Sequence, residues 1–302
     1  MISKRFVFPY ALALITAVSY AAWAVLSLLF VNSSKVSLAV SLNAVNILLL
    51  LFSSLMVIFF VRRKDVFFMP MVKLAAAEGA LYVAANLLMY YALSYAQAFP
   101  LTQSFFYGSI LVFALLVRKV NKSRSGFKYL LSTVLVFFGI AAVMFGVYGS
   151  GFSFSPLYLL SLFMMIVLYG IASYFAFYSM KSGYDPLVFQ ATTAFFEVVL
   201  ISAAIAFQPG LLGEQLSMSA GAWLYAAAIA AVIAIGYLSS LYAFRAVKKE
   251  KARVINTVNI LINLQFIGVV LYSVLFLSLN WMSVVIGGIL LLAGIVFLQL
   301  SK

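Results

Sequence analysis

Long apolar segments separated by short polar ones run along the whole chain. A helix needs about 20 apolar residues to cross the hydrocarbon layer, and only helices and closed barrels satisfy all their backbone groups there. The pattern therefore predicts an all-α membrane protein with ten transmembrane helices. We place these spans at residues 9–31, 37–61, 70–93, 97–117, 128–148, 155–179, 186–207, 220–244, 253–277 and 281–300.

The composition and the placement of the charges support this prediction. Hydrophobic residues make up 67% of the chain and charged residues 8%, against roughly a quarter charged in a soluble domain. With the N-terminus in the cytoplasm, eighteen of the 19 Lys and Arg residues fall on the inner side, and only Lys35 falls outside. Cytoplasmic loops carry such an excess of basic residues. We therefore expect a multi-pass protein of the plasma membrane with both termini in the cytoplasm.

The residue types that are missing exclude much chemistry. The chain has no Cys and no His, which removes disulfides, thiol nucleophiles, imidazole bases and the commonest transition-metal ligands. We expect no enzyme activity, no cofactor and no metal. The net charge of +13 does not indicate nucleic acid as a partner, because the charges lie between the helices. The expected partners are a small-molecule substrate and the lipid bilayer, with a homodimer left open.

The second half of the chain repeats the plan of the first. Tyr91-Ala92-Leu93 ends an apolar helix just before a polar break, and Tyr242-Ala243-Phe244 does the same 151 residues later. Such self-similarity indicates an internal repeat. Ten spans give five in each half, and because five is odd, the second copy enters the membrane from the opposite face. We predict two five-helix inverted repeats, residues 1–150 and 151–302.

Small residues recur every seven positions in the fifth and tenth spans. Small residues at such a spacing form a flat face that lets two membrane helices approach closely. We expect this packing role, with an unspecialised Gly-rich helix as the alternative. The residues are Ser132, Gly139 and Gly146 in the fifth span and Gly287, Gly294 and Ser301 in the tenth.

Together, four features resemble a known family. They are Ala22-Trp23-Ala24 in the first span, the two Tyr-Ala-(Leu/Phe) helix ends, Pro100 in the fourth span and the glycine pattern of the tenth. The chain resembles the drug/metabolite transporter superfamily, in its ten-helix EamA-type branch of metabolite exporters. The resemblance implies two inverted repeats around a cavity lined mainly by spans 1, 3, 4, 6, 8 and 9. The chain departs from the family in two ways: residues 277–283 contain no acid, and no Pro follows Arg253 in the ninth span.

Two acids lie inside predicted spans, where a charge costs roughly 2.5 to 3.5 kcal/mol on insertion scales. Glu78 shares one helical face with Tyr82, Asn86 and Tyr90. It is a candidate for proton coupling or for holding a cationic substrate; the alternative is a Glu bonded to a neighbouring helix. Glu197, in the seventh span, is expected to be structural, because that span only flanks the cavity of the family.

The ninth span carries a polar stripe of Arg253, Asn256, Asn259 and Asn263. A row of amides facing lipid would be unfavourable, so the stripe should face protein or water. It either lines the substrate path, which we favour, or bonds neighbouring helices.

Further pairs of polar or aromatic residues lie three or four positions apart on one helical face. Aromatic rings with a few hydrogen-bonding tips suit a neutral, zwitterionic or weakly cationic metabolite. The complete set of predicted substrate-binding residues is Tyr20, Trp23, Glu78, Tyr82, Asn86, Gln103, Tyr107, Tyr169, Ser173, Tyr237, Asn256, Asn259 and Asn263.

These observations predict a secondary active transporter that exports a small metabolite, such as an amino acid, by alternating access between two inverted halves. Proton coupling through Glu78 is an open option. No Gly-rich loop ending in Lys-Ser/Thr is present, so the sequence carries no ATP-binding loop of that kind. The alternative is a membrane channel or a lipid scramblase with the same fold.

Overall fold

A computed structural model provides the structure of the chain. It describes residues 4–34, 36–61, 69–120, 127–149, 153–247, 258, 261–262, 264–277 and 281–300.

The described part of the chain consists of α-helices and one short 3-10 helix, Ala96–Ala98. The α-helices are α1 (Lys4–Ser33), α2 (Leu38–Phe60), α3 (Met69–Leu93), α4 (Phe99–Val120), α5 (Phe127–Tyr148), α6 (Pro156–Ser182), α7 (Pro186–Ala206), α8 (Pro209–Leu216), α9 (Ala220–Val247), α10 (Gln265–Phe276) and α11 (Trp281–Leu300).

Eight of these helices, α1 to α7 and α9, are long and apolar enough to cross a membrane. The helices α10 and α11 contain shorter apolar segments, Ile267–Phe276 and Met282–Phe297. The all-α prediction is confirmed, and nine of the ten predicted spans coincide with a helix. The structure describes only part of the ninth span, and α10 covers its second half. Large apolar side chains such as Phe59 and Phe145 are 76% and 74% exposed, as expected for a surface covered by lipid.

The helix α8 was missed by the sequence analysis, which treated residues 208–219 as a loop. Its eight residues are too few for a span, and it contains two glycines. Contacts with α2 hold it in place: the Glu214 carboxylate accepts a hydrogen bond from the Ser37 backbone N–H. The Gln215 Oε1 atom accepts one from Asn43 Nδ2 at 3.2 Å. Tertiary contacts, which local sequence does not show, therefore stabilise this helix.

Capping residues define the joint between α6 and α7. The helix α6 ends at Gly183, whose φ of 91° is left-handed, a conformation that glycine adopts without strain. The Asp185 side chain then caps α7 by accepting the Leu187 N–H at 2.9 Å, and Pro186 occupies the first turn, where its missing N–H costs nothing. An ion pair of 3.2 Å between Arg245 and Asp185 joins this end of α7 to α9.

The small residues of α5 and α11 face each other. A Cβ atom built on Gly139 would lie 2.8 Å from the Gly287 carbonyl oxygen, and one built on Gly287 would lie 2.7 Å from the Gly139 carbonyl oxygen. The Ser132 hydroxyl donates to the Gly294 carbonyl at 2.5 Å. The predicted close packing is confirmed for these four residues, while Ser301 lies outside the described residues.

The other long helices pack around the centre of the bundle. In the described part, α1 packs on α9, α3 on α6 and α7, α4 on α6, and α2 on α7 and α9. Seven helices, α1 to α4, α6, α7 and α9, therefore surround a common interior.

Replacing Gly139 by Ala should loosen the contact between α5 and α11. The added Cβ would lie 2.8 Å from both the Gly287 oxygen and the Leu291 backbone nitrogen, so the two backbones must separate. Overpacking of this kind typically costs about 1–3 kcal/mol. We expect a lower midpoint of thermal unfolding for the purified protein in detergent. Gly213→Ala is the matched control, because nothing lies within 4 Å of its added Cβ. Equal midpoints for the two variants would contradict the packing role.

Candidate functional site

A cavity of about 130 Å³ lies at the centre of the bundle. It is smaller than the roughly 300 to 1,000 Å³ of drug-sized ligand pockets, so it suits a small molecule. We call it the central cavity. The described residues that line it are Tyr20, Trp23, Leu42, Val45, Asn46, Leu49, Tyr82, Asn86, Tyr90, Phe106, Tyr169, Ser173, Thr193, Glu197, Ile233 and Tyr237.

A second cavity, of about 100 Å³, adjoins the first. We call it the adjoining cavity. Most of its remaining lining residues lie later along α4, α6 and α9, at the end of the bundle where α1 begins. It also reaches Ile262 and Gln265. Both cavities share five residues, which form one layer between them: Tyr20, Tyr82, Phe106, Ser173 and Tyr237.

Aromatic rings form a continuous wall of the central cavity. The centre of the Tyr82 ring lies 6.0 Å from the centre of the Tyr169 ring and 6.3 Å from that of the Tyr237 ring. The centre of the Phe106 ring lies 4.7 Å from the ring centre of Tyr169 and 5.7 Å from that of Trp23. These contacts are edge-to-face, the arrangement that the quadrupoles of aromatic rings favour. The wall therefore presents ring faces and ring edges to a bound molecule.

Glu78 lies behind this wall and is fully buried. The Tyr237 hydroxyl donates to its Oε1 atom at 2.6 Å, and the Thr193 hydroxyl donates to its Oε2 atom at 3.3 Å. The carboxylate on α3 is thus bonded to α9 and to α7. Both donors line the central cavity, so Glu78 contacts the cavity through them.

Glu197 lines the central cavity directly. Its side chain is 5% exposed, and no described residue forms a hydrogen bond or an ion pair with it. The expectation that the seventh span only flanks the cavity is therefore wrong. The helices α3 and α7 cross closely at Gly79, where an added Cβ would lie 3.0 Å from the Thr193 carbonyl oxygen. This crossing brings Glu78 and Glu197 to one site although they belong to different halves.

Asn86 and Tyr169 fix each other across the cavity. The Tyr169 hydroxyl donates to the Asn86 Oδ1 atom and also lies 3.5 Å from the Met89 sulfur. Since Asn86 is on α3 and Tyr169 on α6, this bond sets the orientation of the Tyr169 ring in the wall.

The structure brings most of the predicted substrate-binding residues together. Seven line the central cavity: Tyr20, Trp23, Tyr82, Asn86, Tyr169, Ser173 and Tyr237. Tyr107 lines only the adjoining cavity. Gln103 lines neither cavity; it is 1% exposed, and its amide nitrogen has no partner among the described residues. Asn256, Asn259, Asn263 and Arg253 lie outside the described residues, and the place of this stripe stays a prediction.

Several lining residues were missed by the sequence analysis, and six of the nine that line the central cavity are on α2 and α7. The resemblance pointed to spans 1, 3, 4, 6, 8 and 9, which drew attention away from these two helices. The available signal was the spacing of Thr193 and Glu197, two polar residues one turn apart in an apolar span. The missed residues with polar groups are Asn46, Tyr90, Ser109, Thr193, Glu197, Ser240 and Gln265.

Comparison with solved structures supports the fold. One similar chain, titled only "Crystal structure of protein", has a TM-score of 0.65 and 16% sequence identity, and the match covers 97% of this chain and 99% of that one. At this identity the likeness shows the fold alone. Neither a protein-family model nor a curated protein matches the sequence. The long apolar helices and this likeness define an integral multi-pass membrane protein, and it contains a cavity walled by aromatic rings.

A cysteine at position 173 should report on water in the cavities. The chain contains no Cys, and Ser173 lines both cavities. We expect Ser173→Cys to react with a water-soluble thiol reagent in intact liposomes, as measured by the mass of the labelled protein. Ser273→Cys is the control, since Ser273 is fully buried on α10 and lines neither cavity. Equal labelling of the two variants would show that the cavities are closed to water.

Proposed function

We propose that the protein is a secondary transporter of the drug/metabolite type that exports a small metabolite, such as an amino acid, by alternating access. The observation that carries this proposal is the pair of cavities inside the bundle, which meet at one layer of aromatic and polar residues. Alternating access requires a site between the two halves of a helical bundle. This site opens to water first on one side of the membrane and then on the other. Trp23, which belongs to the motif that resembles the family, lines this site.

The pattern of helix neighbours supports the inverted repeat of residues 1–150 and 151–302. If the halves are equivalent, α1 corresponds to α6, α2 to α7, α3 to α9 and α5 to α11. The contact of α1 with α9 then has its counterpart in that of α6 with α3, and the contact of α2 with α9 in that of α7 with α3. All four contacts are present. The pairs α2 with α7 and α5 with α11 are their own counterparts, and both are in contact.

The bonds to Glu78 support proton coupling. A buried carboxylate without a cationic partner is unfavourable in a medium of low dielectric, so gain or loss of its proton changes its bonding strongly. The partner Tyr237 also belongs to the layer between the two cavities. Protonation of Glu78 would therefore alter a bond that holds this layer together. By the charge bias of the loops, we propose that both termini lie in the cytoplasm. We also propose the plasma membrane as the location.

The alternative of a lipid scramblase has less support. A scramblase of this fold would need a polar groove that is open to lipid, because lipid headgroups do not cross an apolar surface. The groove between α2 and α7 is lined by apolar residues, with Ser54 and Thr192 as its only described polar lining residues. We therefore prefer transport to lipid scrambling.

Release of solutes from liposomes tests the proposed function. The purified protein would be reconstituted into liposomes that are loaded with a mixed pool of amino acids, amines and nucleosides, with and without a pH gradient. We expect selective loss of one class of solute, measured by mass spectrometry. Empty liposomes of the same lipids serve as the control. No selective loss, together with exchange of labelled lipid between leaflets, would favour the scramblase.

The variant Glu78→Gln tests proton coupling. Glutamine has the same shape and can bond to Tyr237 and Thr193, but it does not exchange a proton. We expect transport of the solute identified above to lose its response to an imposed pH gradient, while counterflow of labelled against unlabelled solute continues. Glu214→Gln on α8 is the matched control and should keep the response. An unchanged pH response in Glu78→Gln would rule out the coupling role.

A further inference from the structure

Glu197 is the one acid among the described residues that line the two cavities. It is 5% exposed, and no described residue pairs with it. Taking an unpaired carboxylate out of water is strongly unfavourable, so this group is either protonated or accompanied by a positive counter-charge. The described lining residues include no Lys and no Arg, and the chain has no His.

Glu78 adds a second acid at the same helix crossing. Its two hydrogen-bond donors, Tyr237 and Thr193, are both uncharged. No described cation therefore compensates either acid. Both carboxylates, when ionised, would attract a positively charged ligand and repel a ligand carboxylate.

The aromatic wall favours the same kind of ligand. The faces of aromatic rings attract cations, Trp most strongly, and the attraction grows when water is excluded. The wall of the central cavity contains Trp23 and the rings of Tyr82, Phe106 and Tyr169. An ammonium group beside Glu197 would lie in a cavity with such faces.

Asn46 provides an independent sign of a ligand. Its side chain is 2% exposed and lines the central cavity, and its amide nitrogen has no partner among the described residues. A buried polar group without a partner is unfavourable. A ligand oxygen that accepts a hydrogen bond, such as a hydroxyl, would satisfy it.

We propose that the central cavity binds a small organic amine that carries a hydroxyl group and no carboxylate, with the ammonium on Glu197 and the hydroxyl near Asn46. The central cavity of about 130 Å³ is close in size to a cavity of about 150 Å³ that holds benzene. The adjoining cavity adds about 100 Å³, so the two together have room for a small aromatic amine. The inference rests on the proposed function, because it takes the central cavity as the substrate site. It narrows the substrate class from metabolites in general to amines without a carboxylate, and so replaces the amino acid that was given as the example.

Three probes that share a 2-(4-hydroxyphenyl)ethyl group test which charge the site prefers. Tyramine is a cation, tyrosine is a zwitterion and 3-(4-hydroxyphenyl)propionate is an anion, and all three carry the same phenol. Binding of radiolabelled tyramine to the purified full-length protein would be measured by equilibrium dialysis, with the other two as competitors. We expect tyramine to bind at least about tenfold more tightly than tyrosine, and the anion not to compete.

The variant Glu197→Gln tests whether Glu197 holds the ammonium group. It keeps the shape of the side chain and removes the charge, so tyramine binding should weaken at least about tenfold. Glu197→Asp should bind more tightly than Glu197→Gln, because it retains the charge. Glu214→Gln, on α8, should bind as the unmodified protein does. The comparison of the three probes on the unmodified protein decides the question even where a variant fails to fold.

The outcomes separate this inference from the proposed function. Equal binding of tyrosine and tyramine, or unchanged tyramine binding by Glu197→Gln, would overturn the amine site. If the liposomes selectively released other solutes and the protein did not bind tyramine, the amine site would be overturned and the proposed transport function would stand. Tyramine binding that depends on Glu197, in a protein that releases no solute, would support the amine site and overturn transport.

Discussion

The hydrogen bonds of one buried carboxylate, that of Glu78, hold the centre of this bundle together. Glu78 is removed from both water and lipid, and two hydroxyls on two other helices meet its oxygens. A polar group at this depth must be satisfied within the protein. The helices α3, α7 and α9 are therefore bonded to one another beside the central cavity.

Glycine lets the helices come close enough for these contacts. Three residues of the site are each next to a glycine that packs against another helix. Glu78 precedes Gly79, Tyr169 precedes Gly170, and Tyr237 follows Gly236. An added Cβ would lie 3.0 Å from α7 at Gly79, 2.8 Å from the Ser109 oxygen at Gly170, and 2.9 Å from Tyr20 at Gly236. The side chains reach across because the backbones nearly touch.

Local sequence predicts what lies along one helix, but not which helices meet. Hydropathy located the spans, and helical spacing correctly grouped Tyr82 with Asn86 and Tyr169 with Ser173. The same spacing linked Gln103 with Tyr107, yet only Tyr107 reaches a cavity, since the packing of α4 decides which part of its face is open. The place of Glu197 in the cavity lining was missed for a related reason. It follows from the crossing of α7 with α3, where Thr193 bonds to Glu78, 115 positions earlier.

The layer shared by the two cavities connects charge with access in the proposed mechanism. Tyr237 is both a member of that layer and the closer donor to Glu78. A proton on Glu78 and a cation beside Glu197 both neutralise negative charge at the crossing of α3 with α7. Binding of either one therefore weakens binding of the other. Entry of a cationic ligand would thus favour release of a proton, and the bond between Tyr237 and Glu78 would change in the same event. Exchange of a proton for a cation then requires no group beyond the two acids and this tyrosine.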